Sequence, residues 1–216
     1  MRVLIASLCI ALVATAPASA ARNKAKPSCA KKGSYTVLRA PGVRVFTARV
    51  TDEEEGLVRL YACLSANGRK QELADSFESS YNGTSDGFSD VRLAGRYVAW
   101  HRDEFDGSCK ADCPPNYDQS DETVTVYDLR RARIVRNWAL PDFTTYRSRS
   151  LALTQRGGLA WLASPDGLGT TPQLEVLDAD GRRVLDSGTI AATSVRAEIS
   201  IVSWVRDGIE HFARLR

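Results

Sequence analysis

The fold is decided by two stretches that repeat one pattern, Val91-Arg-Leu-Ala-Gly-Arg-Tyr-Val-Ala-Trp100 and Leu151-Ala-Leu-Thr-Gln-Arg-Gly-Gly-Leu-Ala-Trp161. In both, an apolar segment is followed by a glycine-containing turn and by a second apolar segment that ends in Ala-Trp. Short apolar runs separated by turn residues are typical of paired β-strands. The two stretches therefore predict two β-hairpins of the same design.

A second pattern follows each of these hairpins. Residues 124–135 and residues 174–185 keep apolar residues at matching positions, and Asp128 coincides with Asp178 where a strand ends and a turn begins. Four strands in roughly 40–50 residues is the period of a repeated sheet unit. Residues 60–73 form a weaker third copy, and residues 199–215 form a partial fourth copy that lacks an outer strand.

The repeated unit resembles the blades of β-propeller proteins and is similar to those of the WD-repeat and TolB-like types. Tyr127-Asp128 stands where a WD-repeat has its Trp-Asp pair. The resemblance covers residues 34–216 and implies a scaffold of antiparallel, four-stranded blades. A full propeller typically has about four to eight blades, whereas this chain has two complete units and two partial ones.

The expected fold class is therefore all-β, a small or incomplete β-propeller-like arrangement of about four antiparallel blade units. The pattern is compatible with a small four-bladed ring and with an open curved stack, and a β-sandwich is the alternative fold. We expect a signal peptide at residues 1–20, a basic mobile N-terminal segment at residues 21–33, and a single all-β repeat domain at residues 34–216.

The first 20 residues have the three parts of a secretory signal peptide. They are a positive start at Met1-Arg2, an apolar stretch over residues 3–16, and the small-residue exit Ala18-Ser19-Ala20. Cleavage after Ala20 predicts a secreted or extracytoplasmic protein without a membrane span. The mature net charge is then about +2, too small to indicate a nucleic-acid partner. A protein or cell-envelope partner is compatible with this location.

The cysteine count indicates disulfides. Cys9 leaves with the signal peptide, and four cysteines remain. An even number in an oxidising compartment is typical of disulfide pairing. A zinc site is the alternative, but zinc prefers two close cysteine pairs, and this chain has one Cys-x3-Cys pair and two isolated cysteines. The predicted bonds are Cys29–Cys63 and Cys109–Cys113.

Residues 102–122 are an acidic insertion between two predicted strands. A long loop on a rigid sheet scaffold is where a binding site is expected. Its carboxylates are numerous enough for calcium, although their spacing differs from that of an EF-hand loop. A solvated loop stapled by the Cys109–Cys113 pair is the alternative. The residues that we predict for the binding loop are His101, Asp103, Asp106, Asp118 and Asp121.

Residues 83–87, Gly-Thr-Ser-Asp-Gly, match the G-x-S-x-G pattern of serine hydrolases. They lie in a polar stretch, residues 74–90, which we predict to be a loop. The pattern requires a strand-to-helix turn, whereas the residues that follow have the pattern of a strand. Ser85 would also need an imidazole, and the chain has two histidines, His101 and His211. With two histidines, a multi-histidine metal site is excluded.

The sequence contains no phosphate-binding loop, dinucleotide fingerprint or catalytic carboxylate pair. We expect a secreted, disulfide-stabilised binding or structural module with no identifiable catalytic site and no assigned metal site. The alternatives are a secreted serine-type hydrolase that uses residues 83–87 and a calcium-dependent adhesion domain that uses residues 102–122. The four tryptophans are expected to pack between the units: Trp100, Trp138, Trp161 and Trp204.

Overall fold

The computed structural model describes residues 28–50, 56–78, 84–105, 120–141, 145–146, 149–165 and 170–216. These residues form antiparallel β-strands and one 3-10 turn, Ala192–Ser194, so the described chain is all-β as predicted. The strands are β1 (Ser34–Ala40), β2 (Val43–Arg49), β3 (Val58–Leu64), β4 (Arg69–Glu78), β5 (Ser85–Ala94), β6 (Tyr97–Phe105), β7 (Ser120–Asp128), β8 (Arg133–Ala139), β9 (Thr145–Tyr146), β10 (Ala152–Leu153), β11 (Leu159–Ser164), β12 (Gln173–Asp178), β13 (Gly181–Ser187), β14 (Arg196–Ala197), β15 (Ile201–Arg206) and β16 (Ile209–Arg214).

The strands form four up-and-down units. Unit 1 is β1–β4 and unit 2 is β5–β8. Two residue pairs between β4 and β5 join the two units into one eight-stranded sheet. Unit 3 is β10–β13 together with β9. Strands β9 and β10 pair with successive parts of β11 and together act as one interrupted strand. Unit 4 is β14–β16, with three strands among the described residues. The units coincide with the repeats and partial repeats found in the sequence.

Neighbouring units pack face to face. Strand β1 approaches β5, β5 approaches β10, and β10 approaches β14, so the first strands of the units follow one another. One apolar core lies at each contact between consecutive units within the described residues. Three successive cores differ from the single core between the two sheets of a β-sandwich.

The tryptophans occupy these cores, as expected. Trp100 packs between units 1 and 2, Trp161 between units 2 and 3, and Trp204 between units 3 and 4. Trp138 is partly buried against the core that contains Trp161. Side chains alternate between the two faces of a strand, and for this reason Trp100 faces unit 1 whereas the preceding Ala99 faces unit 3. Each middle sheet thus contributes to two cores.

The N-terminal part of the described chain is attached to unit 1. Cys29 and Cys63 form a disulfide, the pairing expected from the sequence, with Cα atoms 5.6 Å apart. The Arg44 guanidinium donates to the Cys29 carbonyl at 2.8 Å, and Lys31 Nζ lies 3.9 Å from the centre of the Tyr61 ring. Residues 28–33 therefore cover the outer face of unit 1. The predicted signal peptide, residues 21–27 and the Cys109/Cys113 pair lie outside the described residues.

Two loop predictions are wrong in part. Most of residues 74–90 belongs to strands β4 and β5, and Ser85 is the first residue of β5, paired with Phe105. The acidic insertion is also strand at both ends, because β6 continues to Phe105 and β7 begins at Ser120. In both places the strand is polar, so it lacks the alternation of apolar and polar residues by which a strand is recognised in a sequence. The described part of the chain has no helix long and apolar enough to cross a bilayer.

Candidate functional site

The site that we single out is a cleft of about 510 Å³ between units 2 and 3, which we call the arginine cleft. One wall is the β7–β8 hairpin, and the other is formed by the turn before β11 and by the end of β12. The side chains that matter for its chemistry are Tyr97, Arg131, Arg133, Ile134, Arg136 and Arg156.

The hairpin sequence explains why arginines gather here. The Asp128 carboxylate accepts the backbone N–H groups of Arg130 at 2.9 Å and Arg131 at 3.1 Å, which fixes the turn that follows β7. Ala132 has a φ of 53°, so the chain reverses within four residues. Leu129 of this turn is buried, whereas Arg131 and Arg133 are exposed, and their guanidinium groups therefore lie at the edge of the cleft.

The arginines of the cleft differ in their partners. Arg136 donates to the Gly157 carbonyl at 2.7 Å, which ties unit 2 to unit 3. Arg131 Nε lies 3.8 Å from Asp128 Oδ2 and is largely exposed. Arg133 and Arg156 are exposed, and no ion pair within the described ranges of the chain involves either of them. Two guanidinium groups are thus left available for an anion.

The carboxylate of the cleft, Asp178, is already neutralised. Arg183 donates to both of its oxygens, at 2.7 and 2.9 Å, and the backbone N–H groups of Arg216 and Asp180 donate as well. The Arg183 hydrogen bonds hold the pKa of Asp178 down to about 2, against an ordinary value of 3.8. Asp178 consequently does little to reduce the positive potential of the arginine cleft.

Apolar surface accompanies the charge. Ile134 is 53% exposed at the cleft although it belongs to strand β8. The Tyr97 ring lies beside it, and Arg96 both covers this ring and donates to its hydroxyl at 2.7 Å. A ligand in this cleft would therefore meet guanidinium groups from both walls, together with the Ile134 and Tyr97 side chains of unit 2.

A second cluster, the histidine network, lies nearer the interior between units 2 and 3. His101 Nδ1 lies 3.1 Å from Ser89 Oγ, and His101 Nε2 lies 3.1 Å from Glu122 Oε2. The imidazole is only 5% exposed and stacks on the Tyr146 ring, with centroids 4.0 Å apart. A hydroxyl, an imidazole and a carboxylate thus follow one another in hydrogen-bond contact.

The Tyr146 hydroxyl completes this network by donating to Asp90 at 2.6 Å. Burial, together with the hydrogen bond to Asp90, raises the pKa of Tyr146 above its ordinary value. Asp90 has a φ of 48° and lies in a β-bulge, which turns its carboxylate toward unit 3. The network therefore links β5, β6 and β7 of unit 2 to the strand that precedes β10.

Of the residues predicted for a binding loop, the three that the structure describes lie in strands. His101 is buried in β6 and not on a solvated loop, because its ring is covered by Tyr146. Asp103 is also in β6, opposite Glu122, and Asp121 is in β7, opposite Glu104. Asp106 and Asp118 lie outside the described residues. Over the ranges that the structure describes, no group of three or more His, Cys, Asp or Glu side chains is placed to hold a metal ion.

The hydrolase alternative named Ser85, and the structure places a different serine beside an imidazole. The partner of His101 is Ser89, four residues farther along β5, a distance of roughly 13 Å on an extended strand. His211 stacks on Trp204 in unit 4. Ser89 and Glu122 could have been found from the sequence only with the register of β5, β6 and β7, which places them on either side of His101.

The arginine cleft was missed for a different reason. The sequence has 23 arginines against 6 lysines, and three of the arginines fall within residues 130–133. These were available signals, since arginine is favoured over lysine where planar anions are bound. Arg136 follows on β8 of the same hairpin, and Arg156 joins these residues only through the packing of unit 3 on unit 2.

No known protein family and no curated protein matches this chain. Among solved structures, it is similar to the acylaminoacyl peptidase of Pyrococcus horikoshii in its orthorhombic crystal form, with 8% sequence identity and a TM-score of 0.46 over 76% of this chain and 26% of that one. The uncomplexed peptidase gives 7% identity and a TM-score of 0.36, over 75% and 33% of the two chains. The chain thus spans a third or less of the length of these structures. At this level of similarity no activity transfers from the peptidase to this chain.

Proposed function

We propose that the protein is a secreted, disulfide-stabilised binding module whose arginine cleft takes up an anionic ligand. The observation that carries the proposal is the pair of exposed guanidinium groups, Arg133 and Arg156, which face a cleft of about 510 Å³ without an ion-pair partner among the described residues. The ligand class follows from their chemistry. A guanidinium group donates two parallel hydrogen bonds to a carboxylate, sulfate or phosphate.

The partner that suits this site is a protein or cell-envelope polymer with repeated negative charges and some apolar surface. The guanidinium groups would bind the charges, and Ile134 and Tyr97 would contact the uncharged part of the chain. A short anion such as free phosphate would use the charge of the cleft but little of its length. We therefore expect an extended polyanion to bind more tightly than a single anion.

Binding of poly-L-glutamate and of inorganic polyphosphate, measured by titration calorimetry, tests this proposal. Arg133→Ala/Arg156→Ala is expected to weaken binding at least about tenfold, because two charge-assisted contacts are lost. The matched control is Arg39→Ala/Arg49→Ala, which removes the same charge from exposed positions of unit 1 and should change the affinity far less. Equal losses in the two variants would leave only a non-specific charge effect and would contradict the proposal.

For the fold, we infer an open curved stack of four blade-like units, the open form of the propeller-like arrangement. The inference is supported by unit 4, where Phe212 is 72% exposed on the face that a closed ring would bury against unit 1. Cross-linking followed by mass spectrometry distinguishes the two forms. Cross-links within one molecule between units 1 and 4 would indicate a ring, whereas an open stack predicts them between consecutive units.

The second candidate function is a secreted serine-type hydrolase, with Ser89 in place of Ser85. The observation that favours it is the chain of contacts from Ser89 Oγ through His101 to Glu122, at an exposed residue of β5. In such an enzyme the imidazole would take the hydroxyl proton, and the carboxylate would stabilise the charged ring. A fluorophosphonate probe should then label the protein but not its Ser89→Ala variant, with Ser85→Ala as the control that keeps the label. Absence of labelling would exclude this candidate.

A further inference from the structure

In unit 4, one edge of strand β16 is unpaired among the residues that the structure describes. Strand β16 pairs with β15 on one side, and no described strand pairs with its other side. A free strand edge carries unpaired N–H and C=O groups and is a template for a further strand. In units 1 and 2 the corresponding third strands, β3 and β7, are paired on both sides. The free edge of β16 is therefore a place where unit 4 can be extended.

The two faces of β16 differ in character. Ala213 and Leu215 point toward unit 3 and belong to the core that contains Trp204. Because side chains alternate along a strand, Glu210, Phe212 and Arg214 point to the opposite face. That face is open: Phe212 is 72% exposed, and Ile201, which pairs with Arg214 across the hairpin, is 46% exposed. An apolar side chain flanked by two opposite charges thus lies along the free edge.

The turn before β16 fixes which of its backbone N–H and C=O groups point toward β15. Asp207-Gly208 forms a two-residue turn with φ values of 52° and 80°, and Arg206 pairs with Ile209 on either side of it. In such a hairpin the pair next to the turn exchanges both hydrogen bonds, and every second residue after it does the same. The hydrogen bond from Leu215 N–H to the Ser200 carbonyl, 2.8 Å long, agrees with this alternation. The N–H and C=O groups of Glu210, Phe212 and Arg214 therefore point away from β15.

The geometry points to a second copy of this chain as the partner of this edge. We propose that two molecules pair through β16, antiparallel and about a two-fold axis at Phe212, to form one continuous six-stranded sheet. Residues whose N–H and C=O groups point away from β15 must lie opposite residues of the same kind in the second copy. The two β16 strands can therefore shift past each other only by two residues at a time. The register centred on Phe212 brings all three outward-pointing residues of each strand into pairs.

Side-chain complementarity favours the same register. With Phe212 opposite Phe212 of the second copy, Glu210 of each molecule lies opposite Arg214 of the other. Opposite charges directly across a sheet stabilise strand pairing, and so does an aromatic pair. Neither Glu210 nor Arg214 takes part in an ion pair within the described chain. A shift by two residues would leave both charges without these partners. The edge is therefore complementary to itself, as a two-fold interface requires.

Sedimentation equilibrium of the mature protein up to roughly 1 mM tests the proposal. We expect a reversible monomer–dimer equilibrium for the unmodified chain. Glu210→Arg places like charges opposite each other and should weaken dimerisation at least about tenfold, and Arg214→Glu should do the same. The double variant Glu210→Arg/Arg214→Glu restores the pairing and should restore the dimer. Glu198→Arg is the matched control, since it changes the charge of unit 4 by the same amount outside β16 and should leave the equilibrium unchanged.

Amide hydrogen exchange identifies the occupant of the edge. The amides of Glu210, Phe212 and Arg214 should become protected as the concentration rises into the dimer range. A monomer at all concentrations would overturn the proposal. So would a monomer in which these amides are already protected, because another segment of the same chain would then cover β16. A dimer that survives denaturing gels only without reductant would also overturn it, since an intermolecular disulfide would explain the association. These outcomes are independent of whether the arginine cleft binds anions.

Discussion

Removing the Cys29–Cys63 disulfide is expected to destabilise the protein by an amount that can be calculated from the length of chain it closes. The two cysteines are 34 residues apart. In the chain-entropy description, a bond that closes a loop of this length restricts the unfolded chain by about 4 kcal/mol at 25 °C. The double variant Cys29→Ala/Cys63→Ala should therefore lose about 4 kcal/mol of unfolding free energy, or very roughly 8–16 °C in melting temperature for a domain of this size.

Urea unfolding with fluorescence detection measures this loss, and two further features test its cause. Each single variant should lose nearly as much as the double variant, because either substitution breaks the same bond. The urea m-value should rise in all three variants, since the unfolded chain without the bridge exposes more surface. Segment 28–33 should stay attached through Arg44 and Lys31, which hold it independently of the bridge.

A loss below about 1 kcal/mol in the double variant would refute the reasoning, because loop closure would then contribute little. Additive losses in the two single variants would also refute it, since they would indicate two separate packing defects. Non-reducing peptide mapping of the unmodified protein is the control for the bond itself. It should recover the Cys29 and Cys63 peptides as one species, and free thiols or a Cys29–Cys109 link would contradict the assignment.

Three further predictions address the core, the acid range and the acidic insertion. Trp161→Ala should cost about 3–5 kcal/mol in urea unfolding, whereas Trp161→Phe should cost clearly less, because the buried indole N–H has no hydrogen-bond partner among the described residues. Equal losses in the two variants would contradict this. Asp178→Asn should lose about 2 kcal/mol at pH 7, since the carboxylate has a folded-state pKa of about 2 against 3.8. A carboxylate with a lowered pKa stabilises the folded state above pH 4, and this stabilisation is lost as the pH falls through 4 toward 2. Urea unfolding at pH 7, 5 and 3 should therefore show the difference between the variant and the unmodified protein becoming smaller at pH 3. A difference independent of pH would be inconsistent with this origin. If residues 102–122 bind calcium, the melting temperature should be higher with calcium than with chelator, because a ligand that binds only the folded state stabilises it; identical melts would exclude the calcium-dependent adhesion domain.

The strands could be predicted where their apolar residues alternate. The prediction failed where polar residues occupy both faces of a strand. The stretches that end in Trp100 and Trp161 were recognised because a buried strand needs apolar side chains at fixed positions. The part of β5 near Ser85 has the sequence of a loop, because it is polar and its partner is the equally polar end of β6. Strand formation there depends on backbone pairing with a neighbour, which the local sequence does not encode.

The candidate sites depend on contacts that no local pattern contains. The Tyr146–Asp90 hydrogen bond joins residues 56 positions apart, and the His101 ring is stacked against Tyr146 of another unit. The arginine cleft likewise combines a hairpin of unit 2 with a turn of unit 3. The sequence could supply the residue types for these sites but not their partners, because a partner across a sheet or between two sheets is set by register and packing.

By itself, the sequence predicted the all-β class, about four repeated units and the Cys29–Cys63 pair, since these follow from the spacing of residues along the chain. Tertiary structure decided which groups are buried, neutralised or left available. It pairs Asp178 with Arg183, leaves Arg133 and Arg156 without a described counter-ion, and leaves one edge of β16 open. The physical reason is that charge, burial and strand pairing act through space, between residues whose distance is fixed only when the sheets have packed.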